Sequence, residues 1–502
     1  MNSLKHTLNI GFCHAQDDPV LSLSDAELEK TSSVLSADQI RLARMKYLNQ
    51  NGFAQGFKPF SISVESLKAH CYIGAGSGHG KSELIKRLAY GLMQQGHGLI
   101  ILDPHGELAL QVAKWQEFSQ NPDRLIYFAP KLASKTFSIA PVINPLAALY
   151  QADDVDSVVE NFMSVMVAVV GGDAELSNRM KVLLKPCLYT LVSHENATIY
   201  DIFEFLGDDE KAENWIKKAK ETLTNRALLD TLNIYFEKNY QLTKSSIRDR
   251  LRALLSSDGL DKCLAGGKSS IDLKSAMDNG KVVVFNLAGM GQESCGAFGR
   301  FIVGTVQNIA MQRYEQASHE RKPVFMFLDE ADRFISDAVV DIYKETRKYG
   351  LHLAIVQQTT GYKMSSETYR AIISNSCVRF SGNAGGDSQT LKDLAKNTGT
   401  TEKDIRALPK LFFISQEMQK TPERFGLLYG KKHGAELLGN NHSMSEEAWQ
   451  KVKAFQIAQY YVKTDGKHTQ ASTQENTTTT TATAQKTPHT VKKQRDPIEF
   501  YD

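Results

Sequence analysis

A glycine-rich segment of eight residues constrains the fold of this chain more than any other feature of its sequence. It consists of Ala75, Gly76, Ser77, Gly78, His79, Gly80, Lys81 and Ser82. The apolar run 71–73 precedes it, and the segment that follows places Leu84, Leu88 and Leu92 on one helical face. A strand, a glycine-rich turn and a helix in this order are typical of a phosphate-binding loop.

Each part of such a loop has its own task. The three glycines let the backbone turn tightly and point N–H groups at phosphate oxygens, and the following helix adds the positive end of its dipole. Lys81 would reach the β- and γ-phosphates, and the Ser82 hydroxyl would be a ligand of Mg²⁺. Ala75 stands where the usual pattern begins with glycine, which is a small departure. The sequence thus predicts ATP and Mg²⁺ as cofactors, against the alternative of a glycine-rich surface turn.

Two acidic residues follow a second apolar run. The run 324–328 has the composition of a buried parallel strand, and it ends in Asp329 and Glu330. An aspartate there can hold Mg²⁺, and the adjacent glutamate can polarise the water that attacks the γ-phosphate. The alternative is a strand followed by an ordinary polar turn. Together with the upstream loop, the pair predicts a nucleotide-hydrolysing enzyme.

A third apolar run, 351–356, ends in Gln357 and Gln358. A side-chain amide at that strand end could sense the γ-phosphate. Between the two runs lies a predicted helix, 341–350, that ends at Gly350 and carries Arg347. By local sequence alone, Arg347 is better explained as a solvated helix charge than as an arginine finger.

Further polar residues follow other predicted strands. Asp103 and His105 come after the run 98–102, and ligands gather at the carboxyl ends of parallel strands. Both side chains could therefore lie near a nucleotide or near DNA, and an ordinary turn explains them equally well. Arg379, in a short predicted strand, is a second arginine-finger candidate ranked below Arg347.

As a set, these segments resemble one protein family. The motifs that carry the resemblance are the loop 75–82, Leu-Asp-Pro-His-Gly at 102–106, Asn-Pro-Leu at 144–146, the segments 245–254 and 281–287, the run 324–330, Arg-Lys-Tyr-Gly at 347–350, and Gln358. They are similar in order and spacing to the conjugative coupling proteins of the TraG and TraD type, within the FtsK and HerA group of DNA-pumping ATPases. The resemblance extends over residues 56–430.

This resemblance implies a RecA-like P-loop NTPase that forms a hexameric ring around single- or double-stranded DNA. It implies that Arg347 acts on the γ-phosphate of a neighbouring subunit, which reverses the local interpretation of this residue, and that Gln358 rather than Gln357 is the sensor. The implied function is ATP-driven pumping of DNA, or of a DNA–protein complex. Its alternatives are a HerA- or FtsK-like duplex translocase, a secretion ATPase acting on protein, and a scaffold that binds ATP without hydrolysing it.

The chain divides into five predicted segments. These are a helical N-terminal lead (1–55), the first part of an α/β nucleotide-binding domain with a mainly parallel sheet (56–151), an inserted all-α domain (152–270), the second part of the nucleotide-binding domain (271–462) and a disordered tail (463–502). Lysines and arginines in the helical insertion either form a DNA-entry surface or are simply solvated. The tail ends in an acidic, aromatic cluster, 497–502, which we expect to bind a relaxase or another accessory protein of the DNA complex.

Composition limits where partners can bind. The formal net charge is only +2, from 59 basic and 57 acidic residues, so any DNA contact must be a local basic surface. Six scattered cysteines without a CxxC pair indicate reduced thiols. No apolar run approaches the roughly 18 residues that cross a bilayer. Many coupling proteins begin with membrane-spanning helices, and this sequence departs from them. The chain is therefore expected in the cytoplasm, where it would reach the inner membrane and an embedded secretion channel only through partners.

Overall fold

The computed structural model describes most of the chain between residues 57 and 464, together with a short N-terminal segment. The described residues are 7–14, 57–146, 155, 156, 159, 160, 162, 163, 166, 178–236, 240–264, 266, 268–335, 343, 345–360, 364–427 and 442–464. Apart from residues 7–14, the N-terminal lead that was expected to be helical lies outside these residues, as does the polar tail after Thr464.

The described strands form one large sheet and one small ribbon. They are β1 (Thr7–His14), β2 (Phe57–Ser63), β3 (Cys71–Gly74), β4 (Gly98–Asp103), β5 (Leu125–Phe128), β6 (Ile139–Ala140), β7 (Val282–Asn286), β8 (Val324–Leu328), β9 (Leu351–Gln357), β10 (Val378–Gly382), β11 (Phe412–Glu417), β12 (Glu423–Gly426) and β13 (Val462–Lys463). Only β6 and β13 lie outside the large sheet, and they pair with each other.

Helices connect and cover these strands. The described helices are α1 (Val64–Leu67), α2 (Lys81–Gln94), α3 (Glu107–Ala113), α4 (Glu117–Gln120), α5 (Asn178–Leu191), α6 (Ile199–Phe205), α7 (Glu210–Thr222), α8 (Arg226–Tyr235), α9 (Gln241–Leu255), α10 (Asp258–Leu264), α11 (Leu273–Asp278), α12 (Gln292–Met311), α13 (Ser366–Asn375), α14 (Ser388–Thr398), α15 (Glu402–Arg406) and α16 (Glu446–Tyr460). Short 3-10 turns occupy Pro122–Arg124, Gln312–Glu315, Ala331–Arg333 and Thr346–Tyr349. Within the described part of the chain, none of these helices combines the length and apolar character that a membrane span requires.

The large sheet has the strand order β2-β1-β12-β11-β10-β3-β9-β8-β4-β7-β5. Every neighbouring pair from β10 to β5 is parallel, and the pairs from β2 to β10 are antiparallel. All residues of β8 and β9 are buried, as continuous apolar runs predict for parallel strands covered on both faces. The predicted α/β fold with a mainly parallel sheet is confirmed.

The N-terminal strand differs from the sequence-based expectation. A helical lead was predicted over residues 1–55, whereas Thr7–His14 forms β1 and pairs antiparallel with β2 and β12. Leu8 and Ile10 are both buried, which fits the two-residue period of a strand. Sequence reasoning missed this strand because β1 is stabilised by a partner that is distant in sequence, with Phe12 opposite Gly426.

Among its described residues, the segment between β6 and β7 consists of helices joined by turns and loops. Helices α5 to α11 follow one another there without an intervening strand among the described residues. This agrees with an all-α insertion between two parts of the sheet. Residues up to Thr464 nevertheless belong to one compact unit, so the domain boundaries remain a prediction.

Two buried histidines lie at the amino edge of the parallel strands. His70 immediately precedes β3, and its Nδ1 accepts a hydrogen bond of 3.0 Å from the Leu353 N–H, so its Nε2 donates to the Tyr343 carbonyl at 3.1 Å. His352 Nδ1 lies 2.8 Å from the Lys68 carbonyl. Burial lowers the pKa of His70 to about 4, and burial together with His70 lowers the pKa of His352 to about 3. Both imidazoles are therefore neutral in the folded chain near neutral pH.

These histidines should make the fold sensitive to acid. Below pH 6.5 the unfolded state binds protons that the folded His70 and His352 exclude, so the free energy of unfolding should fall as the pH drops toward 4. For His70 alone the loss is about 3 kcal/mol. Asp329, whose pKa is raised to about 6 in the folded state, gives a gain of similar size over the same pH range, so the net fall comes mainly from His352. Urea unfolding between pH 4.5 and 7.5 measures this slope. His352→Asn, which retains an N–H donor but does not titrate, should flatten it; an equal slope would contradict the assignment.

Candidate functional site

Most of the predicted site residues come together at the carboxyl ends of the central parallel strands, which we call the carboxyl edge of the sheet. Strands β3, β9, β8 and β4 are consecutive parallel neighbours, so their carboxyl ends lie side by side. These four ends lead into the loop 75–82, Gln358, the pair 329–330, and the turn 103–106, respectively. Open parallel sheets bind their ligands at this edge.

Glycine is required at several points of the loop. Gly78 and Gly80 adopt left-handed backbone conformations, with φ of 74° and 101°. A Cβ at Gly80 would lie 2.6 Å from Leu411 Cδ2, and a Cβ at Gly76 would lie 3.1 Å from the Ala384 carbonyl carbon. The loop is thus a tight backbone cradle that runs directly into α2, as a phosphate-binding loop requires.

Lys81 lies inside this cradle at the first position of α2. Its side chain is buried, and Nζ donates to the carbonyls of Ala75 at 2.7 Å and Gly76 at 2.9 Å. Burial lowers the pKa of Lys81 to about 8, although the nearby Asp329 and Glu330 act in the opposite direction. To contact a phosphate, the ammonium has only to exchange two loop carbonyls for phosphate oxygens. Ser82, the next residue, is exposed and free to meet a ligand from solvent.

Asp329 follows β8 and faces the same region. It is buried, and burial followed by the charge of Asp103 raises the pKa of its carboxyl group to about 6, with Lys81 opposing. Asp103 itself is held by two backbone donors, the N–H of His105 at 2.8 Å and that of Ala109 at 2.8 Å. Asp103 therefore shapes its turn and the local charge, whereas Asp329 is the acid available to a metal ion.

Glu330 has an unusual conformation and three side-chain partners. Its φ is 50°, in the left-handed region that residues other than glycine seldom adopt. Its Oε1 lies 2.7 Å from Gln358 Nε2 and 2.8 Å from His105 Nε2, and its Oε2 lies 2.8 Å from Arg333 Nε. Sequence reasoning did not predict a contact between His105 and Glu330 and did not consider Arg333, because no local pattern indicates either contact.

The two adjacent glutamines differ in their surroundings. Gln357 is the last residue of β9 and is buried, and its side-chain amide has no hydrogen-bond partner among the described residues. Gln358 lies beyond the strand and reaches Glu330. Of the two, Gln358 is therefore the one whose amide contacts Glu330, and its role as the sensor stays a prediction.

Arg347 lies at the opposite edge of the sheet. It is exposed in the 3-10 turn that precedes β9, and its charge acts on His70 at the amino edge. Since β9 has seven residues, Arg347 is roughly 23 Å or more from the carboxyl edge of its own sheet. It cannot reach the loop of its own chain. Arg379 donates to the carbonyls of Ser376 and Asn397, which leaves it poorly placed to act as a finger.

Comparison with known proteins identifies the family of the chain. The family described as Type IV secretory system Conjugative DNA transfer matches residues 22–408, more than half of the chain. The chain belongs to this family. The resemblance to conjugative coupling proteins is thereby confirmed.

Solved structures of this kind share the fold. The plasmid coupling protein TrwB in complex with the non-hydrolysable GTP analogue GDPNP has a TM-score of 0.55 at 15% identity, covering 83% of this chain and 95% of that one. TrwB in complex with ADP and Mg²⁺ has a TM-score of 0.54 at 15% identity, covering 75% and 90%. A search of curated proteins found no match.

The lowered pKa of Lys81 gives a testable property of the loop. A phosphate group beside the ammonium should raise this pKa from about 8, so binding should draw a proton from solvent at pH 8. Titration calorimetry with ADP in two buffers of different ionisation enthalpy measures that uptake. Lys81→Arg, whose guanidinium stays charged, should bind without it. Identical binding enthalpies in both buffers for the unmodified chain would show that Lys81 is already fully charged.

Proposed function

We propose that this chain is an ATP-hydrolysing motor that moves DNA, or a DNA–protein complex, during conjugative transfer through a type IV secretion system. Membership of a family described by conjugative DNA transfer supports DNA as the transported molecule. The observation that carries the hydrolytic part is the convergence of Lys81, Asp329 and Glu330 at the carboxyl edge of the sheet. A desolvated cation beside two acids at a glycine-rich cradle suits a bound nucleotide better than it suits a structural turn.

The residues of the edge fit Mg²⁺-ATP. The loop 75–82 cradles the phosphates, and Lys81 contacts the β- and γ-phosphate oxygens. Ser82 and Asp329 would hold Mg²⁺, because this ion prefers oxygen ligands. The complex of TrwB with ADP and Mg²⁺ supports the ion itself as a cofactor. When bound, Mg²⁺ neutralises phosphate charge and lowers the cost of ionising Asp329.

Glu330 and Gln358 act on the reacting end of the nucleotide. Glu330 orients the attacking water and accepts its proton. Gln358 contacts Glu330 through its amide and lies at the end of the strand between the loop strand and the acidic strand, so it can respond to the γ-phosphate.

Arg347 completes the site of a neighbouring subunit. The loop 75–82 lies at the carboxyl ends of the parallel strands, and Arg347 lies at their amino ends. A cyclic arrangement, which we propose to be a hexamer, therefore brings the Arg347 of one copy to the cradle of the next. There Arg347 stabilises the charge that develops on the γ-phosphoryl group. A relaxase or accessory protein and a membrane-embedded channel are the proposed further partners, in keeping with a secretory system.

Phosphate release tests this function directly. The unmodified chain should hydrolyse ATP, and single-stranded or duplex DNA should accelerate the reaction. Glu330→Gln should bind ATP and release at least about 100-fold less phosphate, because general-base catalysis contributes on the order of 100-fold or more. Lys81→Ala should lose both binding and turnover. Acceleration by unfolded polypeptide instead of DNA would favour a protein-secreting ATPase, and binding without hydrolysis would favour a scaffold.

Mixing two inactive variants tests catalysis across the subunit boundary. Arg347→Ala retains an intact cradle, and Lys81→Ala retains an intact Arg347, so mixed rings should contain complete sites. ATPase activity of the mixture should clearly exceed the sum of the separate activities. The matched control is a mixture of Lys81→Ala with Glu330→Gln, whose defects lie in the same half of the site and cannot complement. Equal behaviour of the two mixtures would rule out Arg347 as a residue supplied in trans.

A further inference from the structure

Glu330 is held by side chains from three different places in the sheet. Gln358 follows β9, His105 belongs to the turn after β4, and Arg333 lies in the turn after Glu330 itself. The three donor atoms lie within 2.7 to 2.8 Å of a carboxylate oxygen. Such distances are those of charge-assisted hydrogen bonds.

The three bonds leave Glu330 able to act on water. An ionised carboxylate offers about four lone-pair sites, two on each oxygen. His105 and Gln358 occupy both sites of Oε1, and Arg333 occupies one site of Oε2. Among the residues that the structure describes, no other group bonds to Oε2, so one acceptor site remains there. A base needs such a site in order to bind and deprotonate a single water in a fixed direction.

The turn that carries His105 is rigid. The His105 N–H donates to the buried Asp103 carboxylate at 2.8 Å. Gly106, the next residue, has a φ of 83°, and a Cβ there would lie 2.3 Å from Asn286 Oδ1. The imidazole therefore approaches Glu330 from a backbone that cannot easily shift.

Packing does not explain the position of His105. Its side chain is 57% exposed, whereas that of Glu330 is only 14% exposed. A histidine buried in a core would gain its stability from apolar neighbours, but this ring lies mostly in solvent with Nε2 turned toward the carboxylate. The backbone of Glu330, at a φ of 50°, also needs external restraint, because a left-handed conformation is costly for a residue with a Cβ.

We infer that His105 is a positioning residue for Glu330. Its Nε2 fixes Oε1 against the edge of the sheet, so that the free site on Oε2 points at the attacking water. This inference rests on the proposed role of Glu330 as the base. Without His105 the carboxylate keeps Gln358 and Arg333 but can rotate, and rotation misdirects the water without disturbing the cradle that binds the phosphates.

Three substitutions of His105 test this assignment in the full-length chain. His105→Ala should lower kcat for ATP hydrolysis by about tenfold or more and leave KM unchanged, because misorientation of a reacting group affects the chemical step. His105→Gln places an amide N–H where Nε2 was and should recover most of kcat. His105→Asn offers the same amide one methylene short of Glu330 and should remain as slow as alanine. Glu107→Gln, at an exposed position of α3, is the control and should hydrolyse ATP normally.

The results separate this inference from the proposed function. Full kcat in His105→Ala, or equal activity of the glutamine and asparagine variants, would overturn the positioning role. A rise in KM together with the fall in kcat would place His105 in nucleotide binding instead and would also overturn it. The Glu330→Gln variant is measured in parallel. If that variant hydrolyses ATP, the base assignment fails for any His105 result; if it is inactive while His105→Ala is normal, only the present inference fails.

Discussion

Parallel pairing of β3, β9, β8 and β4 is the constraint on which the site depends. Side chains that are up to about 280 positions apart in the sequence become neighbours only because the carboxyl ends of these strands share an edge. Burial of the strands on both faces fixes their register, with Gly74 opposite Gln357 and Leu328 opposite Ile355. A slip of one residue in β8 would turn Asp329 away from Lys81.

The same edge concentrates charge in a poorly solvated place. Three acids lie close together here, Asp103, Asp329 and Glu330, and among the described residues Lys81 and Arg333 are the cations recorded as acting on them. Negative charge is therefore in excess over these two cations. Burial and this excess raise the pKa of Asp329 to about 6, while burial lowers that of Lys81 to about 8. A polyanion would bring the pKa of Lys81 back up, and a divalent cation would bring the pKa of Asp329 back down. Neither ligand alone would reduce both pKa shifts. The electrostatics therefore favour binding of the pair.

Local patterns were sufficient for part of this site. The loop 75–82 and the pair 329–330 are contiguous in sequence, and each follows an apolar strand, so their chemistry could be inferred before any contact was known. The contact of His105 with Glu330 could not, because it depends on β4 and β8 being neighbours. The same limit applied to β1, which was mistaken for part of a helical lead because its partner β12 lies some 400 residues away. Arg347 lies at the other end of β9 from the loop of its own chain, and this position likewise could be inferred only once the direction of β9 was known.

Strand β9 has a polar residue of interest beyond each of its ends. Arg347 precedes it within a short turn, and Gln358 follows it immediately. If the two serve successive sites in a ring, the length of β9 sets the spacing between one site and the next. Adding two residues to this strand would keep every buried side chain on its original face yet move the ends apart by about 7 Å. Insertions that surface loops accept easily should therefore be poorly tolerated within β9, even where the core could accommodate them.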